Sequence, residues 1–226
     1  MFKMGIGVAA LKIFEKLFKE GFFNKINSVM EIGAQEISRI NDIPFIESIK
    51  KEKLTNLEGK SAKIIYELLG VKEYECIDSD GKFGAHIFDL NKEIDKVYGY
   101  KIQFDLVTNY GTSEHIFNQY TCFKNIHNLT KAGGYMIHAV PFRVHDNHCF
   151  YMYQYNFLEN LAKDNNYEIK GAWISVGVDE SVFPVLDIEK YVGEKKVLIF
   201  CLLKKTSSNP FKIPFQDEYK EASKLR

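Results

Sequence analysis

The stretch MEIGAQEISRI at residues 30–40 decides how the fold of this 226-residue chain is interpreted. It completes the apolar run INSVMEIG, which we interpret as a buried strand that ends at Gly33. A glycine directly after a strand lets the backbone approach a ligand without a side chain in the way. Gln35 and Ile37, however, stand where a nucleotide-binding loop would carry further glycines. The stretch alone leaves two alternatives open, a modified cofactor-binding loop or an ordinary strand end.

Composition indicates one domain, or one domain with a small subdomain. Hydrophobic residues make up 46% of the chain and charged residues 27%, which supplies a core and excludes a disordered protein. Thirty basic residues balance thirty acidic ones, so no basic excess is available to neutralise phosphates, and we predict no nucleic-acid partner. Four cysteines without a C-x-x-C spacing are expected to be reduced thiols.

The two ends of the chain differ from its middle. Residues 1–27 are predicted to contain an N-terminal amphipathic helix, because apolar side chains repeat there at helical spacing. These side chains are Leu11, Phe14, Leu17 and Phe18. No apolar run reaches the ~18 residues of a membrane span, so we expect a cytoplasmic protein without a membrane partner. The polar, proline-containing residues 206–226 are predicted to be a surface tail.

Strand and helix patterns alternate through residues 28–205. The predicted strands are INSVMEIG, EYECIDSD, FGAHIFDLN, IQFDLVTNYG, AGGYMIHAVPF, IKGAWISVGV and KKVLIFCLLKK. Helical patterns between most of them predict an α/β, three-layer Rossmann-like sandwich around a mostly parallel seven-stranded sheet. The last two strands follow each other without a clear helix, so an antiparallel C-terminal hairpin is expected. An inserted helical segment is predicted at about residues 40–58.

Small and polar residues gather at the predicted strand ends, where open α/β sheets bind their ligands. Asp78 ends the second strand and could accept both hydrogen bonds of a ribose diol, and Asp89 after the third could accept from an adenine amine. Each aspartate alone is better explained by a helix cap or a turn, but the ordered set of strand ends favours a ligand site. The predicted cofactor-binding residues are Glu31, Gly33, Ala34, Gln35, Asp78, Asp89, Leu90, Asn109, Tyr110 and Gly111.

These segments together resemble the class I S-adenosylmethionine-dependent methyltransferases. VMEIGAQE is similar to their first motif, CIDSD to the acidic end of their second strand, and IFDLN to the segment after their third strand. FDLVTNYGTSEHI resembles their fourth-strand motif, and LTKAGGYMIHAVPF their fifth strand with its glycine-rich entry. The resemblance spans about residues 28–145. It implies S-adenosylmethionine as cofactor, with its methionine part by the first loop, its ribose on the second-strand acid and its adenine by the third strand.

The sequence departs from the family pattern in its first motif, which is eroded to the single glycine Gly33. Asp78 follows Gly33 by 45 residues, where roughly 20 is usual in dinucleotide folds, and the inserted segment accounts for the difference. A dinucleotide dehydrogenase would need G-x-G-x-x-G for its pyrophosphate, which the sequence lacks. S-adenosylmethionine carries no phosphate, so the methyltransferase is favoured. A catalytically inactive binding or scaffold protein is the second alternative.

Histidines near the strand ends supply candidates for activating a methyl acceptor. His115 follows Glu114 at the start of a predicted helix, where it could take a proton from a hydroxyl or amine, although local packing explains it equally well. The candidate catalytic residues are His115, His138 and His148. The loop HAVPFRVHDNHCFYMY, rich in histidine and aromatic residues, is suited to closing over a hydroxylated substrate.

The sequence therefore predicts methyl transfer by in-line displacement to a hydroxyl or amine of a small-molecule or carbohydrate-like acceptor. No metal is predicted, because the one conceivable group of ligands lacks a known spacing. That group is His138, His145, Asp146 and His148. The oligomeric state is left open and includes a homodimer.

Overall fold

The computed structural model describes residues 5–38, 45, 57–143, 147–177, 180–191, 193–194, 196–216 and 219. Their strands are β1 (Ser28–Ile32), β2 (Glu73–Ile77), β3 (Phe104–Tyr110), β4 (Thr130–Arg143), β5 (Tyr167–Val176), β6 (Ser181–Pro184) and β7 (Val197–Lys205). Their α-helices are α1 (Val8–Lys19), α2 (Lys63–Leu68), α3 (Ile94–Val97), α4 (Gln119–Leu129) and α5 (Tyr155–Asp164). Short 3₁₀ turns lie at Phe22–Lys25, Lys82–Gly84, Ser113–His115 and Val185–Tyr191.

The seven strands form one sheet in the order β2-β1-β3-β4-β7-β5-β6. β1 pairs in parallel with β2 and β3, and β3 pairs in parallel with β4. β7 lies antiparallel between β4 and β5, and β6 forms an antiparallel hairpin with β5 at the edge. The predicted α/β fold, with a mostly parallel seven-stranded sheet and antiparallel strands at its C-terminal side, is confirmed.

One predicted strand is not part of this sheet, and a strand that was not predicted brings the number of strands to seven. FGAHIFDLN forms only a single parallel bridge, between His86 and Ile77. Gly84 at a φ of +79° precedes that bridge, and the peptide N–H of Phe88 turns back to the His86 carbonyl. The segment therefore curls over the end of β2 instead of extending the sheet, and the seventh strand is β6.

Side chains that alternate along the strands fill two cores, one on each face of the sheet. Val29 and Leu106 contact the core beneath α1 and α2, whereas Met30, Ile32 and Val107 contact the core beneath α3, α4 and α5. This arrangement is a three-layer sandwich. Of the four apolar side chains whose spacing predicted the amphipathic helix α1, three are buried, and Phe18 is 39% exposed. The exposed face of α1 carries lysine–glutamate pairs one turn apart.

Several predictions fall partly outside the described residues. The inserted helical segment at about residues 40–58 is described only at Phe45, which is buried, and from Leu57 onward. The beginning of the tail contacts the domain: the Asn209 carbonyl lies 2.9 Å from a ring nitrogen of His127 on α4, and the Phe215 N–H donates to Asp164 on α5. Among the helices described, none has the length and apolar composition to cross a membrane.

Candidate functional site

A cleft of about 610 Å³ opens where β1, β2 and β3 end. The chain runs from β1 outward to β2 and then crosses back to β3 on the other side of β1, so the cleft lies where the strand order reverses. That position is the usual ligand site of an open α/β sheet. The structure places seven of the ten predicted cofactor-binding residues at the cleft. These are Gly33, Ala34, Gln35, Asp78, Asp89, Leu90 and Gly111.

Gly33 begins the loop after β1 with a φ of +85°. A Cβ at this position would collide with the Thr112 hydroxyl and stand 2.9 Å from the Gln35 side-chain nitrogen. Thr112 is fixed there because its hydroxyl donates to the Ile32 carbonyl at 2.8 Å. The glycine is therefore required by the turn that follows β3, which presses against this loop, as well as by its backbone conformation.

Glu31 lies beneath the loop and does not line the cleft. Its carboxylate accepts hydrogen bonds from the Tyr74 hydroxyl at 2.6 Å, the Tyr66 hydroxyl at 3.2 Å and the Gln35 N–H at 2.9 Å. Burial raises the pKa of the Glu31 carboxyl to about 7, although these three donors oppose the shift. The geometry gives Glu31 the role of holding the loop in place, and its direct contact with a cofactor stays a prediction.

Gln35 closes the same loop. Its backbone N–H donates to Glu31, and its side-chain nitrogen donates to the Gly33 carbonyl at 3.2 Å. Its amide oxygen is buried and has no hydrogen-bond partner within the described part of the chain. Because Gln35 borders the cleft, rotation of its side chain would present that oxygen to a donor group on a ligand.

Asp78 joins the ends of β1 and β2. One carboxylate oxygen accepts the Ala34 N–H at 2.9 Å, which fixes the side chain at the cleft. Within the described part of the chain, the contacts of the other oxygen are two long ones of 3.4 Å, with the Ser79 hydroxyl and the Asp80 N–H. It therefore keeps accepting capacity for a ligand hydroxyl.

The segment after β2 builds the opposite wall. Asp89 is exposed, and its carboxylate accepts from both nitrogens of Asn91 at 2.9 Å; the side-chain bond lowers the pKa of Asp89 most. Leu90 is buried, and Phe88 stacks on Tyr98 with ring centroids 4.4 Å apart. Phe88 and Tyr98 also line the cleft but were not predicted. Phe88 lies inside the predicted strand FGAHIFDLN but was given no role, and Tyr98 lies beyond every predicted strand end.

Two predicted cofactor residues at the end of β3 face away from the cleft. Asn109 is fully buried and exchanges two hydrogen bonds with Ser113, at 2.8 and 3.1 Å, so it fixes the 3₁₀ turn at Ser113–His115. Tyr110 points to the opposite face of the sheet, where its ring packs against Phe14 and Phe200. Neither residue lines the cleft, and their contact with a cofactor stays a prediction.

Of the three candidate catalytic histidines, the structure brings two together. His115 lines the cleft, and its ring centroid lies 5.2 Å from that of His148. Burial, and then the nearby His148, lower the pKa of His115, which favours the neutral imidazole. His138 lies apart, inside the sheet against Phe123, where burial lowers its pKa to about 4. His138 does not line the cleft.

Glu114, next to His115, is a buried polar side chain to which the sequence assigned no role. It is fully buried, and neither carboxylate oxygen has a hydrogen-bond partner among the described residues. Burial raises the pKa of the Glu114 carboxyl to about 8. One donor atom from each of Glu114, His115 and His148 lies within 4.8 Å of the others. The only sequence signal was the position of Glu114 beside His115.

Neither protein-family models nor curated proteins match the sequence, but solved structures match the fold. A putative sarcosine dimethylglycine methyltransferase from Galdieria sulphuraria superposes with a TM-score of 0.53 at 12% identity, covering 88% of this chain and 87% of that one. The chain has the class I S-adenosylmethionine-dependent methyltransferase fold. The resemblance inferred from its motifs is thereby confirmed at the level of the fold.

Two further structures with this methyltransferase fold contain bound S-adenosylhomocysteine. An O-methyltransferase from a trans-AT PKS multienzyme of Brevibacillus brevis has a TM-score of 0.51 at 13% identity, covering 88% of this chain and 73% of that one. The 1,6-didemethyltoxoflavin-N1-methyltransferase of Burkholderia thailandensis has a TM-score of 0.50 at 12% identity, covering 88% and 79%. Identities this low establish the shared fold, and the chemistry has to be argued from this chain's own residues.

Proposed function

We propose that this chain is an S-adenosylmethionine-dependent methyltransferase that acts on a hydroxyl or amine of a small-molecule or carbohydrate-like acceptor. The observation that carries the proposal is the cleft at the strand-order reversal, with Asp78 held at its edge by the Ala34 N–H. The fold agrees with this function, and the position of the acid at the end of β2 agrees with a ligand that contains a ribose.

The cleft fits S-adenosylmethionine in size and in chemistry. Its volume of about 610 Å³ lies within the range of roughly 300–1,000 Å³ typical of small-molecule sites. The unpartnered amide oxygen of Gln35 would accept from the ammonium group, and the available oxygen of Asp78 would accept from the ribose hydroxyls. Leu90 and the ring of Phe88 would provide apolar walls for the adenine.

Bound S-adenosylmethionine supplies an activated methyl group, so the chain has no need of a covalent nucleophile. The task of the chain is to hold the acceptor oxygen or nitrogen in line with that methyl group and to take up a proton. His115 is the candidate proton acceptor, because it is the one of the three candidate histidines that lines the cleft.

Exposed apolar side chains beside His115 support a small, partly apolar acceptor. Phe117 and Phe150 are 73% and 68% exposed, and their ring centroids are 6.2 Å apart. The Phe150 N–H donates to the Glu114 carbonyl at 3.0 Å, which ties this ring to the turn that carries His115. Such rings suit the flat apolar face of a sugar or of a planar molecule. The balanced charge of the chain favours this acceptor class over nucleic acid.

The test follows a labelled methyl group from S-adenosylmethionine into a metabolite extract of the cells that produce the protein. We expect S-adenosylhomocysteine to accumulate and the label to appear in small molecules. The protein is also given the macromolecules of the same cells. Label found only in protein or nucleic acid would contradict the proposal, and so would the absence of turnover with both the metabolites and the macromolecules.

Replacing His115 tests the assigned proton acceptor. We expect His115→Ala to lower the rate of methyl transfer by about 10²-fold or more, with the affinity for S-adenosylmethionine unchanged. His86→Ala is the matched control, since His86 pairs with Glu75 and does not line the cleft. An undiminished rate in His115→Ala would withdraw the role from His115.

A further inference from the structure

Glu114, His115 and His148 form a compact group, called here the lip cluster, at the edge of the cleft. One carboxylate oxygen and two imidazole nitrogens of the lip cluster lie within 4.8 Å of one another. The two rings are 5.2 Å apart between centroids and inclined by 75°. Carboxylate oxygens and imidazole nitrogens are the donors with which proteins hold zinc and related divalent ions.

The burial of Glu114 is the observation that separates this cluster from an ordinary group of surface side chains. Its side chain is 0% exposed, and neither oxygen has a hydrogen-bond partner in the described segments. An ionised carboxylate held in this way is strongly disfavoured unless a positive charge is brought to it. A lysine or arginine could supply that charge, but no such pair to Glu114 occurs among the residues described.

The backbone on both sides of the lip cluster is fixed. Asn109 locks Ser113, directly before Glu114, with two hydrogen bonds. The peptide N–H groups of Phe150 and Tyr151 both donate to the Glu114 carbonyl, at 3.0 and 3.2 Å, so the segment that carries His148 is tied to the same turn. The three candidate ligands thus come from two segments that are already joined.

We propose that Glu114, His115 and His148 bind a divalent transition-metal ion, with Zn²⁺ as the representative case. Ligands about 2.0–2.1 Å from a tetrahedral zinc ion lie about 3.3 Å apart. The observed separations of up to 4.8 Å are larger, so rotation of the side chains on a fixed backbone would close the site. Magnesium and calcium prefer oxygen ligands, and the two imidazoles disfavour them.

Three protein ligands leave a coordination position open, as catalytic zinc sites do. Since His115 lines the cleft, the ion would lie at the cleft edge and could take an acceptor hydroxyl as its fourth ligand. It would lower the pKa of that hydroxyl, and the proton would leave to solvent. This consequence rests on the proposed function, and in the metal-bound form His115 would be a ligand and not the proton acceptor.

The experiment titrates the chelator-treated full-length protein with Zn²⁺ by calorimetry and with Co²⁺ by visible absorption. We expect one equivalent of Zn²⁺ to bind with a Kd of about 10 μM or tighter and to displace Co²⁺, while Mg²⁺ does neither. Glu114→Gln and His148→Ala should each weaken Zn²⁺ binding by 10-fold or more. His86→Ala is the matched control, since the His86–Glu75 pair, at 2.5 Å, belongs to no candidate group of three ligands.

Two results of these titrations would overturn the metal site. The absence of saturable Zn²⁺ binding by the wild-type protein would overturn the metal site, as would unchanged binding in both lip-cluster variants. Thermal unfolding in metal-free buffer checks that the variants fold, and Cys149→Ser, expected to bind normally, separates this site from the half-buried thiol nearby. S-adenosylmethionine binding is titrated in the same metal-free protein. Cofactor binding without Zn²⁺ binding would overturn only this inference, and Zn²⁺ binding without cofactor binding only the proposed function.

Discussion

Gly33 marks the point where the loop after β1 meets the turn after β3. Thr112 presses on it from one side, and the Gln35 amide closes the loop from the other. Glu31 holds the loop from below through the Gln35 N–H. Buried hydrogen bonds therefore fix the shape of this loop, and its one glycine stands where no side chain fits.

The substitution Gly33→Ala tests this arrangement. A β-carbon at a φ of +85° costs about 1–2 kcal/mol of unfolding free energy, and its collision with Thr112 adds roughly 1–3 kcal/mol. Gly133→Ala is the matched control, because Gly133 has a φ of +82° but open space around the missing Cβ. Urea unfolding should show the larger loss for Gly33→Ala. Equal losses of unfolding free energy in the two variants would mean that Thr112 moves aside without destabilising the protein.

Single residues also mark the limit of prediction from sequence. Apolar runs located the strand ends, so the positions of Asp78 and Gly111 beside the cleft could be predicted. The direction of each side chain could not, because the turn after a strand decides which face a residue meets. Glu31 and Asn109 consequently face protein donors instead of the cleft, and Glu114 became a candidate ligand only when His148 was placed beside it.

Among the elements, the helix α1 could be predicted from its sequence, whereas the conformation of the segment after β2 could not. The apolar spacing of α1 predicted its buried face correctly up to Phe14 and Leu17, while Phe18 rotates toward the surface. The segment at residues 83–91 has strand-like apolar residues, but Gly84 and the turn at Asp89 leave room for a single bridge. A short apolar run does not by itself specify a strand, and of the apolar side chains in this segment Ile87 is 66% exposed.

Two phenylalanines one turn apart in α1 provide a test at this level. Phe14 is 0% exposed and its ring contacts Phe23, Tyr66 and Tyr110, so Phe14→Ala should cost about 3–5 kcal/mol of unfolding free energy. Phe18→Ala has the same effect on helix propensity but removes a side chain that is 39% exposed. The loss of unfolding free energy in Phe18→Ala, measured by chemical denaturation, should be less than half of the loss in Phe14→Ala. Similar losses would contradict the assigned packing of α1.

Across the whole molecule, buried titratable groups set opposing responses to pH. Burial raises the pKa of Glu31 to about 7 and lowers the pKa of His138 to about 4. The contribution of Glu31 to stability is complete below its unfolded pKa of about 4.5 and is lost as pH rises through 7. The contribution of His138 to stability is complete above its unfolded pKa of about 6.5 and is lost as pH falls through 4. The stability of the wild-type protein therefore mixes both effects.

The variant Glu31→Gln isolates the first of these effects. The unfolding free energy of the wild-type protein, minus that of Glu31→Gln, should fall by roughly 3 kcal/mol between pH 4.5 and pH 8, at about 1.4 kcal/mol per pKa unit. Urea unfolding of both proteins across this range measures the difference. If the difference stayed constant with pH, Glu31 would not be the buried, protonated group described here.

The cleft at the ends of β1 and β2 is proposed to bind the ribose of the cofactor, and calorimetry of the protein can test this binding. S-adenosylhomocysteine is titrated by calorimetry into the wild-type protein, Asp78→Asn and Asp80→Asn, the last as a matched control whose exposed side chain lies outside the cleft. We predict one site with a Kd below about 1 mM, weakened about 10-fold or more in Asp78→Asn, which is about 1.4 kcal/mol, and unchanged in Asp80→Asn. No binding at millimolar ligand, or equal binding by Asp78→Asn, would contradict a ribose-binding cleft at the ends of β1 and β2.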